Sequence, residues 1–561
     1  MKKPAQYNPN TVVWRFYVVL GAVVLIYAGL MARTAYIQVF EPDMLKKQGD
    51  NRSLRTNTKT VQRGSIVDRN GHELAISVPV ETVWADPKII FDSNALSMKK
   101  HWQALADVLG QDVKKLQVRI TKNPTKRFVY IERKVAPAMA NYIRELKIPG
   151  IHLRKESKRF YPAGEISAHV VGFTNVDDKG IEGIERVYDQ LLTGEDGEKQ
   201  YRKDAKGRKI EILSVKASTP PKEITLSIDQ RIQALAYREV LALVNSPSYN
   251  PNNRSGVAIH RFRNRAITDI YEPGSSVKPL TVLTALEFGS VKKDSIIDTY
   301  PGWMRLGGSR VSDPRYLGKI TLAELLVHSS NMGTTKLALS VPKDYLIDKF
   351  FDAGFSEETG TGLVGESSGM MHDRARWSKF ELATLSWGHG VAITPIQLAR
   401  FYTILANGGM KIPLTILKQD PQEQVKKNAE RIFSAENSQN VLDMLEHVVN
   451  EHYTVAKIDG YRVGGKSGTA IKAFAGGYGN DYVGLFAGVA PISDPEIAVV
   501  VVIDDPGGDL YHGGEVAAPV FSRIMKGTLR LLNVAPDANT KVTVVTAEPK
   551  TENLAKERDH V

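Results

Sequence analysis

The sequence predicts a multidomain α+β protein carried on a single apolar helix near its N-terminus. Three observations predict it. An uncharged, apolar stretch runs from Phe16 to Ala32. A mixed segment of short strand-like runs and turns fills residues 41–220. From residue 222 to 535, helical and strand patterns follow one another with the composition of an α/β or α+β domain. At 561 residues the chain also exceeds what one hydrophobic core ordinarily serves.

The apolar stretch is fenced by Arg15 and Arg33 and continues through Ala35, Tyr36 and Ile37. As a helix its uncharged part spans roughly 25 Å, close to the thickness of a bilayer core. No small-residue cleavage site follows it, which favours a retained signal-anchor over residues 16–37 rather than a cleaved leader. Charge does not orient it. Lys2, Lys3 and Arg15 precede the span, and Arg33, Lys46 and Lys47 follow it.

In the middle segment, Arg63–Gly71 (RGSIVDRNG) reads as a turn with Asn70-Gly71 as a hairpin signal, and Tyr161–Gly164 (YPAG) as another. Ser218–Pro221 (STPP) is a break. A short strand, Ile224–Ser227, and a helix from about Asp229 through Val240 come next. After Pro273-Gly274 a helix presents Val277, Leu280, Leu283 and Leu286 until Gly289 stops it. A helical run from Leu322 ends at Ser329-Ser330-Asn331, and Lys466–Thr469 lies on a predicted strand. Strands at Val483–Val489 and Ile497–Ile503 and a closing helix from about Ala517 to Leu532 complete the region. The polar, charged tail, residues 537–561, is expected to be disordered.

Composition excludes more than it assigns. With 42% hydrophobic and 24% charged residues this is an ordinary globular composition. The net charge of +12 fits attraction to a polyanion or simply a solvated basic surface. No Lys/Arg block marks a nucleic-acid patch. The absence of cysteine excludes disulfides, thiolate metal sites and cysteine nucleophiles. The twelve histidines show no H-E-x-x-H spacing, so the chemistry is read without metal or cofactor.

The chemistry lies in an ordered set of short motifs. Ser275-Ser276-Val277-Lys278 is S-x-x-K, Ser329-Ser330-Asn331 is S-x-N 54 positions later, and Lys466-Ser467-Gly468-Thr469 is K-S-G-T 137 positions beyond that. Singly, two of these are weak. Ser97–Lys100 and Ser290–Lys293 also match S-x-x-K, and Ser248–Asn250 and Ser438–Asn440 match S-x-N. Each member also has an ordinary structural explanation: Ser275 as a helix cap, Asn331 as a turn former, Lys466 as a solvated strand residue. K-[ST]-G occurs once, and the ordered trio is the signature of penicillin-binding proteins and β-lactamases.

Further segments carry the resemblance along nearly the whole chain. They are RGSIVDRNG at 63–71, WADPK at 84–88, KRFYPAGE at 158–165, GFTNVDDKGIEGIE at 172–185 and NSPSYNPNN at 245–253. YEPGSSVKP at 271–279, WGHGVAITPIQLARFYT at 387–403 and GGEVAAPVF at 513–521 continue it. With these, the sequence resembles the class B penicillin-binding proteins, specifically the division-specific peptidoglycan D,D-transpeptidase type. The resemblance implies a cytoplasmic tail (1–15), the anchor (16–37), an elongated pedestal of the dimerisation type (41–220) and a β-lactamase-like transpeptidase domain (222–535) with an antiparallel sheet between helical layers. It implies a single-pass protein of the inner membrane with its catalytic domain in the periplasm. The implied ligands are peptidoglycan stem peptides and β-lactams. The implied partners are a SEDS-family glycan polymerase and other division proteins, with no nucleic acid.

It also implies roles for the motif residues. Ser275 is the expected nucleophile toward the penultimate D-alanine of a pentapeptide stem, with Lys278 as its base. Ser329 is expected to relay a proton to the leaving amine and Asn331 to bind the substrate amide. Lys466, with the Ser467 and Thr469 hydroxyls, would meet the terminal carboxylate. Gly468 belongs to the same substrate-binding strand, and the backbone N–H groups of Ser275 and Thr469 would form the oxyanion hole.

One departure stands out. The helix through Val240 runs almost directly into Leu243–Pro247, where the family has a β-hairpin supplying the first two of five sheet strands. Two strands and a turn do not fit there. The expected sheet therefore lacks its first hairpin and shows a Val-rich edge at Ile497–Ile503. Two other readings follow: a catalytically impaired, membrane-tethered division scaffold, favoured by the missing hairpin, and a D,D-carboxypeptidase or β-lactamase with the same trio, disfavoured by the pedestal and anchor.

Overall fold

The apolar run forms the middle of one long helix, α1 (Val13–Val39), in the computed structural model. That model describes residues 13–39, 42–59, 61–204, 208–240, 246–371, 376–420, 428–474 and 477–538. At 27 residues α1 is about 40 Å long, its most apolar window has a mean hydropathy of 1.9, and none of that window is buried. By length and composition it can cross a bilayer. The chain divides into two units, Met1–Gln62 with Thr193–Pro221 and Arg63–Leu192 with Lys222–Val561. The first holds α1, a helix at Pro42–Ser53 and an antiparallel sheet in the order Leu54–Lys59, Gly197–Lys203, Lys209–Lys216.

The second unit begins with a sheet built on β1 (Glu73–Ala85), flanked by β2 (Val129–Val135) and β3 (Ile151–Phe160), all antiparallel. The Asn70-Gly71 signal closes a hairpin here: Ile66–Val67 folds back onto β1, and Gly71 takes a φ of 88°. Ile224–Thr225 adds to Ile66–Val67 in parallel, so the strand expected after the STPP break joins this sheet. Arg63 and Arg159 each grip the fully buried Glu185 at 2.6 Å, one on each carboxylate oxygen. Both arginines come from segments quoted above for their resemblance.

Asp68 ties this sheet to the next element, α2 (Gln230–Val240). Its buried carboxylate accepts from the backbone N–H of Asn70 and His72 at 2.8 Å and of Gln230 at 3.0 Å. Burial alone would raise its pKa, but these donors together hold it down to about 2. A depressed carboxylate contributes stability above its unfolded pKa and loses it as pH falls through the folded one. Asp68→Asn is therefore expected to destabilise the protein by about 1–3 kcal/mol at pH 7. The gap to wild type should shrink as pH falls from about 4 toward 2, which urea unfolding across that range measures. A pH-independent gap would show that the carboxylate charge is not what holds the turn.

The remainder is the layered domain the sequence predicts. Its central helix is α3 (Lys278–Phe288), followed by α4 (Asn331–Leu339), α5 (Pro395–Ala406) and α6 (Ala435–Glu451). The sheet is β4 (Gly464–Phe474), β5 (Gly477–Ala490) and β6 (Ile497–Asp504), antiparallel in that order, and α7 (Ala518–Leu531) closes the fold. Alternate residues of β5 face opposite layers, as strand geometry requires. Val483, Leu485, Ala487 and Val489 pack with Leu280, Leu398 and Leu445 of α3, α5 and α6. Phe486 and Ala490 pack with Ala236 of α2 and Phe521 and Ile524 of α7.

Among the described residues the sheet has three strands, and β6 pairs only with β5. Residues 241–245, where the hairpin would enter, lie outside the described residues. The edge is unpaired among the described residues, while its side chains are covered. Val499, Val500 and Val501 are only 8%, 5% and 4% exposed, because helices cover both faces of β6. Of the expected tail, Asp537 is described and accepts from the backbone N–H of Arg462 at 2.7 Å; residues 539–561 lie outside the described residues.

Candidate active site

Ser275 stands on a single tight turn, Gly274–Val277, that leads into α3. Pro279 at the first turn of α3 suits a position with no intrahelical acceptor for its nitrogen. Two backbones press on this turn. A Cβ at Gly388 would lie 2.2 Å from the Gly274 carbonyl oxygen, and one at Gly468 would lie 2.4 Å from that of Pro273. Only glycine permits these approaches, and they fix β4 and the 387–390 loop against the serine. Behind the turn, the buried Tyr402 hydroxyl donates to the Ser276 carbonyl at 3.0 Å.

Lys278 follows one helical turn later and is fully buried. Its Nζ donates to the Ser329 carbonyl, to Ser329 Oγ at 3.1 Å and to Asn331 Oδ1 at 2.7 Å. Burial, reinforced by Lys466, pushes its pKa well below the usual lysine value, against an opposing pull from Asp313. Ser329 holds a left-handed φ of 51°, uncommon for a residue with a side chain, and this turns its carbonyl toward Lys278. The S-x-N segment caps a helix start rather than ending the preceding one. That helix stops at Val327, and Ser330 caps α4 by accepting from the Gly333 N–H at 2.8 Å.

Lys466 is also fully buried, on β4. Its Nζ reaches the Ser467 carbonyl at 3.3 Å. Thr469 Oγ1 accepts from the Gly513 N–H at 3.1 Å. The three motifs, separated by 54 and 137 positions in sequence, thus converge on one place. The Ser275 hydroxyl itself makes no hydrogen bond among the described residues and is half-buried, open to an incoming group.

The spurious motif matches lie elsewhere. Ser97 Oγ donates to the Asn94 carbonyl, Ser290 Oγ to that of Ala285, Ser248 Oγ to that of Glu165 and Ser438 Oγ to that of Ser434. Each hydroxyl is taken up by a backbone carbonyl.

Comparison with known proteins agrees with this arrangement. Residues 235–526 match the penicillin binding protein transpeptidase domain, and residues 58–226 the penicillin-binding protein dimerisation domain. The peptidoglycan D,D-transpeptidase FtsI of Escherichia coli K12 is 45% identical over 96% of this chain and 95% of its own. The chain belongs to the FtsI-type class B penicillin-binding proteins. The FtsI of Buchnera aphidicola from Schizaphis graminum is 38% identical over 93% of this chain and 96% of its own. Among solved structures, penicillin-binding protein 2 of Helicobacter pylori, in complex with MreC, shares the fold: TM-score 0.72, 19% identity, 85% of this chain and 99% of that one.

Three features of this penicillin-binding protein were not legible as motifs. Asp313 holds the S-x-N turn: it accepts from Ser330 Oγ and the Asn331 N–H at 2.6 Å and from the Met332 N–H at 3.0 Å. Glu272, just before the serine turn, accepts from the Gly390 N–H at 2.8 Å and pairs with His389 Nδ1 at 2.7 Å. Tyr453 meets the Ser467 hydroxyl. Asp313 and Tyr453 lie outside every segment quoted for the resemblance, and only their side-chain contacts reveal them. Glu272 and His389 lie inside such segments but are marked by no pattern of their own.

Proposed function

We propose that the protein cross-links peptidoglycan stems as a serine D,D-transpeptidase of septal wall synthesis, with Ser275 as nucleophile and Lys278 as its base. The observation that carries this reading is the place of Lys278, fully buried and hydrogen-bonded to Ser329 and Asn331. Burial lowers its pKa, and in the neutral form two N–H groups serve the Ser329 carbonyl and Asn331 while one lone pair remains. That lone pair can accept the Ser275 proton as Oγ attacks the carbonyl of the penultimate D-alanine. An ester forms, the peptide bond to the terminal D-alanine breaks, and the proton held by Lys278 passes through the Ser329 hydroxyl to the departing amine. The side-chain amine of a neighbouring stem then attacks the ester, the bond from the carbonyl carbon to Ser275 Oγ breaks, and the amine's proton returns to that oxygen as the cross-link forms.

In this reading Asn331 binds the substrate amide, and the N–H groups of Ser275 and Thr469 stabilise the oxyanion. Lys466, with the hydroxyls of Ser467 and Thr469, receives the terminal carboxylate, and Gly468 lets β4 approach. A β-lactam presents the same carbonyl and carboxylate and acylates the same serine. The anchor α1 would hold the catalytic domain on the periplasmic side of the inner membrane, in reach of a SEDS glycan polymerase and other division proteins. The missing hairpin favours the scaffold reading, but the convergence of the three motifs outweighs it, and the pedestal and anchor disfavour the hydrolase reading.

Spheroplasts treated with a membrane-impermeant fluorescent penicillin, followed by peptide mapping, test serine and orientation together. The expected adduct is on Ser275 and forms without permeabilisation. Labelling only after permeabilisation would reverse the orientation, and an adduct elsewhere would overturn the mechanism.

A further inference from the structure

Lys466 carries no acid partner: among the described residues no carboxylate lies within 4 Å of its Nζ, although the side chain is fully buried. A buried cation in that position favours an anion from outside. What does touch it is Tyr453, whose ring lies under the ammonium at 5.6 Å from the centroid. The same tyrosine's hydroxyl is hydrogen-bonded to Ser467 Oγ. One side chain therefore meets both polar groups of the K-S-G-T strand, ring against the lysine and hydroxyl against the serine.

The ring is held in place on several sides. It sits edge-on to Phe486 at 5.7 Å and to His452 at 4.5 Å. Its backbone N–H donates to the Val448 carbonyl at 3.1 Å at the end of α6. A Cβ at Gly514 would come within 2.3 Å of Tyr453 Cε1, so the chain keeps a glycine where the ring passes. Few rotamers remain open to such a side chain, and its hydroxyl is preorganised toward Ser467.

We propose that Tyr453 is a positioning residue for the ligand's carboxylate, acting through Ser467; this rests on the transpeptidase reading above. In the structure Ser467 donates to Tyr453, and each hydroxyl can serve as donor or acceptor. A serine has one proton. When that proton is given to a carboxylate, Tyr453 reverses and donates to Ser467 Oγ, so the serine stays aimed at the anion with its lone pair satisfied. The ring meanwhile holds the Lys466 ammonium on the same side. Tyr453 thus selects for ligands that end in a carboxylate, whether a D-Ala-D-Ala stem or a penicillin.

The test compares benzylpenicillin with its methyl ester on the full chain, in wild type, Tyr453→Phe, Ser467→Ala and the double variant. Phenylalanine keeps the ring and removes the hydroxyl. The expected result is a fall of about ten-fold or more in second-order acylation by the acid, the scale of one hydrogen bond serving a charged group. That fall should come from apparent affinity rather than from the limiting acylation rate, with the ester rate and the melting temperature unchanged. In the Ser467→Ala background Tyr453→Phe should have no further effect, because its route to the carboxylate is gone. Equal losses for acid and ester, or an undiminished effect without Ser467, would overturn the proposal. A wild-type chain acylated by neither ligand would overturn the reading beneath it and the proposal with it, a result visible before any variant is made.

Discussion

Ser275→Ala is expected to abolish covalent labelling by penicillin while leaving the fold intact. The other hydroxyl on that turn, Ser276 Oγ, is fully buried and donates to the Pro273 carbonyl at 2.8 Å. The hydroxyl is half-buried and makes no hydrogen bond among the described residues, so its removal leaves no partner unsatisfied. The change in stability should stay within about 0.5 kcal/mol. Ser97→Ala and Ser290→Ala serve as controls. Their hydroxyls donate to the Asn94 and Ala285 carbonyls, a local role that does not touch the cluster around Lys278. Gel fluorescence with a labelled penicillin and a melting curve on each variant decide the matter. Persistent labelling of Ser275→Ala would mean that the nucleophile is another residue.

That prediction was available from the sequence because the three motifs keep their order, and each lies on a local element that a pattern can reveal. A Pro-Gly turn before an apolar helix announces Ser275, and the once-occurring K-[ST]-G announces Lys466. The long apolar helix was legible from length and hydropathy, and the hairpin at Ile66–Val67 from Asn-Gly. What joins these elements was not legible. Asp313 lies 17 positions before Ser330 in a stretch with no motif, yet it holds Ser330, Asn331 and Met332 in place. Tyr453 looks like any aromatic residue near the end of a helix until its ring is found beside Lys466. The edge strand shows both sides: the missing neighbour was legible in the sequence, and β6 pairs only with β5 among the described residues, whereas the helices packed on its two faces were not legible.

Lys278→Met is expected to separate catalysis from stability. Methionine has nearly the same length and fills the same buried space, but offers no basic nitrogen. Loss of a general base predicts a fall in acylation of about 10²–10⁴-fold. Stability should respond through pH. Burial holds the Lys278 pKa in the folded chain well below the ordinary lysine value of 10.5, so between those two values the unfolded chain binds a proton that the folded chain does not. Wild-type stability should therefore rise with pH through that window, and the variant should lack this part of the slope. Methionine is freed from the cost of burying an ammonium-forming group, but it leaves the Ser329 carbonyl and Asn331 Oδ1 without their donor, a loss of about 1–3 kcal/mol. Those two effects oppose each other at any one pH, whereas the slope depends on the lysine alone. Urea unfolding of both proteins from pH 6 to 9.5, beside acylation rates at each pH, reads the two quantities independently. The expected result is a stability difference, wild type minus variant, that grows with pH, together with a rate that stays low throughout. Parallel stability curves would show that Lys278 keeps its proton in the folded protein, and the base that activates Ser275 would then have to be sought elsewhere.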